Sequence, residues 1–170
     1  MPAPAGYRCS TCGSWHDELP FAYHAPAPAY WAPEMERDER SELGEEQCVI
    51  GEEHFFVRGL VRLPVLDAEA DFEWGVWVSL SRGDFLRMSD LWQAPGREAE
   101  PAYSGSLATA LPTYSPSTLD LRTLVHTQPV GLRPVVELEP ADHPLAREQR
   151  EGITVARVQR LAELLLHPAG

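Results

Sequence analysis

The chain has 170 residues, of which 44% are hydrophobic, enough for one sizeable core and too few for two, so a single domain is expected. Its 26 acidic residues outweigh 14 basic ones, all arginine, for a net charge of -12. That charge repels phosphate, which excludes nucleic acid and anionic membrane surfaces as expected partners.

The start, "MPAPAGYRCS", has neither a basic n-region nor an apolar h-region. No stretch approaches the roughly 20 apolar residues of a membrane helix, so the expected compartment is the cytoplasm. "RCSTCGSWH" (8 to 16) then places two cysteines two residues apart, a glycine after the second and a histidine four further on. "FAYHAPAPAYWAP" (21 to 33) alternates proline with small residues and favours an extended strap. Its aromatics Phe21, Tyr23, Tyr30 and Trp31 would be wasted in a free linker, so the strap is expected to be pinned to the core. Residues 1–33 thus form a knuckle and strap, and 34–170 an α+β core.

"PEMERDERSEL" (33 to 43) opens with proline, carries acids near its positive end and stops at Gly44, which predicts a short charged surface helix. "QCVI", the turn "GEE" and "HFFVRGLVRLPV" predict a hairpin, and "FEWGVWVSL" adds a third strand with Phe72, Trp74, Val76, Val78 and Leu80 on one face. "SRGDFLRMSDLW" (81 to 92) has the Ser81 and Asp84 capping pattern and helical apolar spacing. "QAPGREAEPAYSG" is predicted as loop and "SLATALPTY" as a short helix ended by Pro112. "STLDLRTLVHT" and "GLRPVVELEP" predict a second hairpin, with Pro134 confining the last strand to an edge or bulge. Two helices close the chain: "DHPLAREQREG", capped by aspartate, and "TVARVQRLAELLLH", with Val155, Val158, Leu161, Ala162 and Leu165 on one stripe. The expected architecture is α+β: a mostly antiparallel sheet of about five strands, with helices packed against its open face.

Zinc takes four tetrahedral sulfur or nitrogen ligands, and thiolates spaced two apart can reach one ion from a single tight turn. Glycine after the second cysteine suits the positive φ of that turn. Cys9 and Cys12 therefore form half of a structural zinc site. With no second pair in the chain, Cys48 and a histidine are expected to complete it: His16 is nearest in sequence, with His24 and His54 as alternatives. Three cysteines in a reducing compartment argue against a disulfide framework. A redox role wants the first cysteine opening a helix after a strand, a context this segment lacks. Cys48, between apolar neighbours, also reads as a small buried hydrophobe.

Elsewhere there is no serine on a glycine-flanked elbow and no glycine-rich phosphate loop. "DHP" at 142 to 144 reads as a helix start. Trp74 and Trp77, three apart in a strand, face opposite sides, so one is core and the other is packed under a helix or forms a binding surface. Arg58, Arg62 and Arg122 on the polar strand faces are expected to pair with the surplus glutamates.

The blocks "CSTCGSWHDELP", "CVIGEEHFFVRG", "FEWGVWVSLS", "LPTY", "VHTQPVGLRPVVELEP" and "HPLAREQREGI", in this order, resemble the bacterial domain of unknown function 2199 from about residue 7 to 166. The resemblance implies that the two-cysteine knuckle and the histidine at His16 are recurring parts, which supports a metal or structural role for Cys9, Cys12, Cys48 and His16. It also implies that Gly51 replaces an acid often found after the "CVI" block, which counts against an enzyme if that acid is catalytic. Two function classes follow. One is a non-enzymatic, zinc-stabilised acidic module with a basic protein partner, of the kind encoded beside toxins. The other is a small zinc- or thiol-dependent enzyme with an open coordination position.

Overall fold

The computed structural model describes residues 6–168. Two short strands open it, β1 (Tyr7–Arg8) and β2 (Trp15–His16), paired only with each other, Tyr7 opposite His16. Next come β3 (Ala22–His24), a 3-10 turn at Pro33–Arg37, β4 (Glu42–Leu43), β5 (Gln47–Ile50), β6 (His54–Leu63) and β7 (Phe72–Leu80). Helix α1 (Arg82–Asp90) and a 3-10 turn at Arg97–Ala99 lead to β8 (Tyr103–Leu107), β9 (Arg122–His126) and β10 (Val135–Leu138). Helices α2 (Pro144–Glu151) and α3 (Val155–Leu166) follow.

The sheet closes into a five-stranded barrel in the order β6, β7, β8, β9, β10 and back to β6, where an open, mostly antiparallel sheet was expected. Two features of β6 and β7 make closure possible. They pair over nine registered positions, from Phe55 opposite Leu80 to Leu63 opposite Phe72, and each shares its outer edge between two neighbours. β5 takes the first half of β6; β10 lies parallel to the second half, with the Leu60 N–H donating to the Pro134 carbonyl at 2.9 Å. β3 takes the first half of β7, also in parallel, and β8 the second. Alternate residues point inward: Val57, Val61, Trp74, Val76, Val78, Leu107, Val125 and Val136 are all buried. Two inward positions have no room for a side chain. A Cβ on Gly59 would lie 2.6 Å from Val136 Cγ2, and one on Gly105 2.5 Å from Val78 Cγ1.

Pro134 therefore sits beside a barrel strand flanked on both sides, not at an edge. The residue precedes β10, so its missing N–H costs no ladder bond, and its carbonyl is used for closure. The helix expected from Ser106 to Leu111 is absent: β8, whose Tyr103 and Leu107 face inward, runs through Ser106 to Leu107, and residues 108–111 are irregular. The charged helix expected over 33–43 stops at Arg37 and buries no residue. With no apolar stripe to hold it, the chain is diverted by Asp38, whose carboxylate accepts from the Arg40 N–H and the Ser41 hydroxyl.

The helices follow the predicted caps with one change. Ser81 accepts from the Asp84 N–H, and Thr154 from the Arg157 N–H. At α2 the cap is His143 in place of Asp142: its Nδ1 accepts from the Leu145 N–H, and its Nε2–H donates to the Pro116 carbonyl at 2.8 Å. Phe85 of α1, Leu145 of α2, and Val158, Leu161 and Ala162 of α3 join the same apolar cluster as the barrel interior.

The strap covers part of the outer barrel wall. Trp77 is fully buried there with Cys48, Phe56 and Ala108, and Trp31 of the strap packs against them. The Trp77 indole N–H donates to the Ala25 carbonyl at 3.0 Å, and the Ala29 N–H to the Ala108 carbonyl at 2.8 Å. A strap, not a helix, is what buries the second tryptophan. Arg58 lies over the Trp77 ring and donates to the carbonyls of Ala25 and Glu45, so it fastens the strap instead of pairing with a carboxylate. Arg62 does pair, with Glu73 at 3.3 Å. Among the described residues, no helix is long and apolar enough to cross a membrane.

Candidate metal centre

The first knuckle residues turn on a hydrogen-bond frame of their own. The Cys9 N–H donates to the Ser14 carbonyl and the Gly13 N–H to the Cys9 carbonyl, both at 2.9 Å. Gly13 takes φ +74, as the tight turn requires. The Arg8 guanidinium closes the loop on the Gly13 carbonyl at 2.8 Å. This turn points the Cys9 and Cys12 thiols the same way, and β2 returns His16 beside them, its ring stacked on Tyr7 with centroids 5.1 Å apart.

The fourth group comes from the far end of the chain. His167 caps the C-terminus of α3, and its ring atom lies with those of Cys9, Cys12 and His16 in a set whose ligand atoms are all within 4.8 Å of one another. Cys12 Sγ and His16 Nε2 are 3.5 Å apart. Ordinary zinc–sulfur and zinc–nitrogen bond lengths in a tetrahedron put ligand atoms about 3.3–3.8 Å from each other, so a small contraction of the set encloses one ion. A second feature points the same way: His167 Nε2 is buried and has no hydrogen-bond partner among the described residues. A buried imidazole nitrogen without a partner is costly unless something binds it. The cluster could hold a metal ion.

The electrostatics favour a cation at this point. The Ser14 backbone N–H, then the His16 ring, hold the Cys12 thiol down to about 6 from its ordinary value, with smaller help from Cys9 and His167. Cys12 is exposed and Cys9 fully buried, so the set has one thiol facing solvent and one in the core.

The knuckle is held to α3 by Glu163. This side chain is buried, and its carboxylate accepts from both the Ser10 N–H at 2.9 Å and the Ser10 hydroxyl at 2.6 Å. Those bonds, the hydroxyl first, hold the carboxyl below its ordinary value, with further help from Arg160. Ser10 lies between the two cysteines, so α3 both supplies one candidate ligand and fixes the turn that carries two others.

Of the residues expected at the site, the structure brings together Cys9, Cys12 and His16, and it separates Cys48 from them. On β5, opposite Phe56, Cys48 is 1% exposed inside the apolar cluster under the strap. Burial pushes its thiol up to about 11, the state of an inert hydrophobe and not of a ligand. His54 is exposed at the start of β6. His24 sits on β3 against Gly75, where burial and then the nearby Arg133 and Arg58 guanidinium groups lower its basicity. Two such cations also repel a metal. His167 is the candidate ligand that local reading misses. Its visible signal is a histidine ending an amphipathic helix just before a proline, which reads equally well as a helix stop.

Residues 8–153 match DUF2199, a family described as an uncharacterized protein conserved in bacteria. The chain belongs to DUF2199. In this DUF2199 chain the matched residues take in Cys9, Cys12 and His16 and end before α3, so His167 and Glu163 lie beyond the match. Gly51, where the resemblance implies an acid, takes φ +61 in the β5–β6 turn, a conformation glycine adopts without strain. No curated protein and no solved structure matches the chain.

Proposed function

We propose that this DUF2199 protein is a non-enzymatic, zinc-stabilised acidic interaction module of the bacterial cytoplasm, acting as one unit over residues 1–170. The observation that carries the metal half of this reading is the Cys9, Cys12, His16, His167 set. Two thiols and two imidazoles grouped within 4.8 Å of one another suit zinc better than the oxygen-preferring cations. Four protein ligands leave no vacant position, which is the arrangement of structural zinc and not of catalytic zinc. The ion would join the knuckle to the end of α3, supplying cohesion that two-residue strands cannot.

Charge carries the other half. Exposed Glu34, Glu36, Glu39, Glu42, Glu45, Glu52 and Glu53 follow one another from the 3-10 turn through the β4–β5–β6 edge, in a chain of net charge -12. Such a surface attracts a basic protein and repels nucleic acid and anionic lipid; neutralising a basic toxin is one role of this kind. The test is co-purification of the full chain from a native host at low salt. A strongly basic protein that is recovered reproducibly and released as salt rises supports the reading. Recovery of no basic partner contradicts it. A small zinc- or thiol-dependent enzyme, the competing reading, requires water among the metal's ligands, and a fully protein-ligated ion in the metal's X-ray absorption spectrum would rule out its zinc form.

A further inference from the structure

A second site lies away from the knuckle, where α1 ends and the β9–β10 loop folds over it. Arg97, in the 3-10 turn after α1, is 7% exposed. Its guanidinium stacks on the Trp92 ring at 5.5 Å and donates only to backbone carbonyls: Nε–H to Gln128, Nη1–H to Trp92, and Nη2–H to both Pro129 and Leu132. Among the described residues no carboxylate forms an ion pair with it. In a chain with nearly two acids for every base, a buried cation without an acidic partner stands out. Glu46, the acidic residue that lines the same cavity as Arg97, is engaged with Arg133 through three hydrogen bonds of 2.9 to 3.1 Å.

Arg97 lines a cavity of about 440 Å³. A guanidinium has five N–H donors, and the four bonds above leave one on Nη1 unused. Thr127, on the same cavity, holds a buried hydroxyl with no hydrogen-bond partner. The walls also include the apolar Met88, Trp92 and Pro134 and the polar Glu46, Gln93 and Arg133, and Val130 and Leu132 are exposed at 39% and 54%. A positive charge without an ion-pair partner, one spare N–H and one unpartnered hydroxyl therefore share a cavity of ligand size, in which the other two charged side chains, Glu46 and Arg133, are paired with each other.

We infer that this cavity binds a small amphipathic carboxylate, its anionic group against Arg97 and Thr127 and its hydrocarbon body against Trp92, Met88 and Leu132. A carboxylate has two acceptor oxygens for the two free donors, and its single charge balances the one buried cation. A hydrocarbon body would cover the apolar side chains that the loop leaves in water. The site is independent of the knuckle and of the zinc reading.

The probe is hexanoate, titrated into the full-length protein and followed by backbone and side-chain NMR, with hexanol as the neutral control. Expected are saturable shifts at the Arg97 Nε–H, the Trp92 indole N–H and the Thr127 amide, with hexanol binding at least tenfold more weakly. Arg97→Gln also removes bonds that hold the loop, so Thr127→Val serves as the second variant: it keeps the side chain's shape and deletes the free hydroxyl. Loss of one hydrogen bond to a charged group predicts about tenfold weaker hexanoate binding, with hexanol unchanged. Equal affinity for hexanoate and hexanol, no saturable shift at these three residues, or unchanged hexanoate affinity in a folded Thr127→Val protein would each overturn the inference and leave Arg97 as a clasp for the loop.

Discussion

The knuckle and the barrel are ordered by different means. Phe72, Trp74, Val76, Trp77 and Val78 of β7 are all no more than 2% exposed, covered by apolar side chains of the barrel itself, the helices and the strap. The knuckle has two-residue strands, shows Trp15 at 59% exposure, and sends only Tyr7 and Cys9 inward. A segment that short cannot bury enough apolar surface to offset the entropy of ordering it. What it has instead is a cluster of four side chains that could hold a metal ion and one carboxylate grip. Stability is thus supplied by apolar area in one region and by a few directed bonds in the other.

On the proposed zinc reading, removing the metal has the largest effect on the knuckle. Structural zinc contributes about 10–16 kcal/mol in small zinc-finger peptides, so a strong chelator should abolish hydrogen-exchange protection in residues 7–16. Amides of β6 and β7 should keep theirs; their simultaneous loss would mean that the two regions are not separable. Trp77→Ala tests the opposite case. Emptying a fully buried indole site costs about 3–5 kcal/mol of global stability, and metal content should stay at the wild-type level.

Gly105→Ala places a methyl group 2.5 Å from Val78 Cγ1 and 2.8 Å from the Ser79 carbonyl, and the expected cost is about 3 kcal/mol in denaturant unfolding. A cost near zero would show that the barrel closes less tightly than described. Glu163→Gln acts on the hinge between the regions: weakening two bonds to a charged acceptor should loosen the knuckle by about 2 kcal/mol in exchange measurements. The folded carboxyl lies below its ordinary value. Its contribution is therefore complete above the ordinary glutamate value of about 4.3 and is lost as pH falls through the lower folded value. The difference between wild type and Glu163→Gln should be flat from pH 7 to pH 5 and vanish in stronger acid. The smallest effect concerns thiol labelling. Without metal, Cys12 is exposed and should alkylate readily at neutral pH, while Cys48, pushed up to about 11 and buried outside the knuckle, should stay unlabelled.

Sequence pattern revealed the features that depend on near neighbours. The period-two runs of β6 and β7, the caps at Ser81 and Thr154 and the stripe of α3 are all local, and the structure contains them. The Cys9, Cys12, His16 grouping was legible for the same reason, being one turn and one short strand. Barrel closure was not, because alternation is the same in an open sheet and a closed one; its trace is the two inward glycines, Gly59 and Gly105. β8 was hidden because "YSGSL" lacks the β-branched residues that announce a strand. His167 and Glu163 meet the knuckle only through the tertiary fold, and no spacing rule connects the two ends of a chain. Cys48 reads as a metal ligand in the sequence because a lone thiol carries no information about which cluster it joins.

In the proposed zinc module a metal joins the two ends of the chain without Cys48. The direct test is metal content by elemental mass spectrometry on protein purified without an affinity tag, in wild type, Cys9→Ser, His167→Ala and Cys48→Ser. The account predicts one equivalent of zinc in wild type and Cys48→Ser, and its loss in Cys9→Ser and His167→Ala. Zinc lost from Cys48→Ser and kept in His167→Ala, or no metal in the wild type, would contradict it.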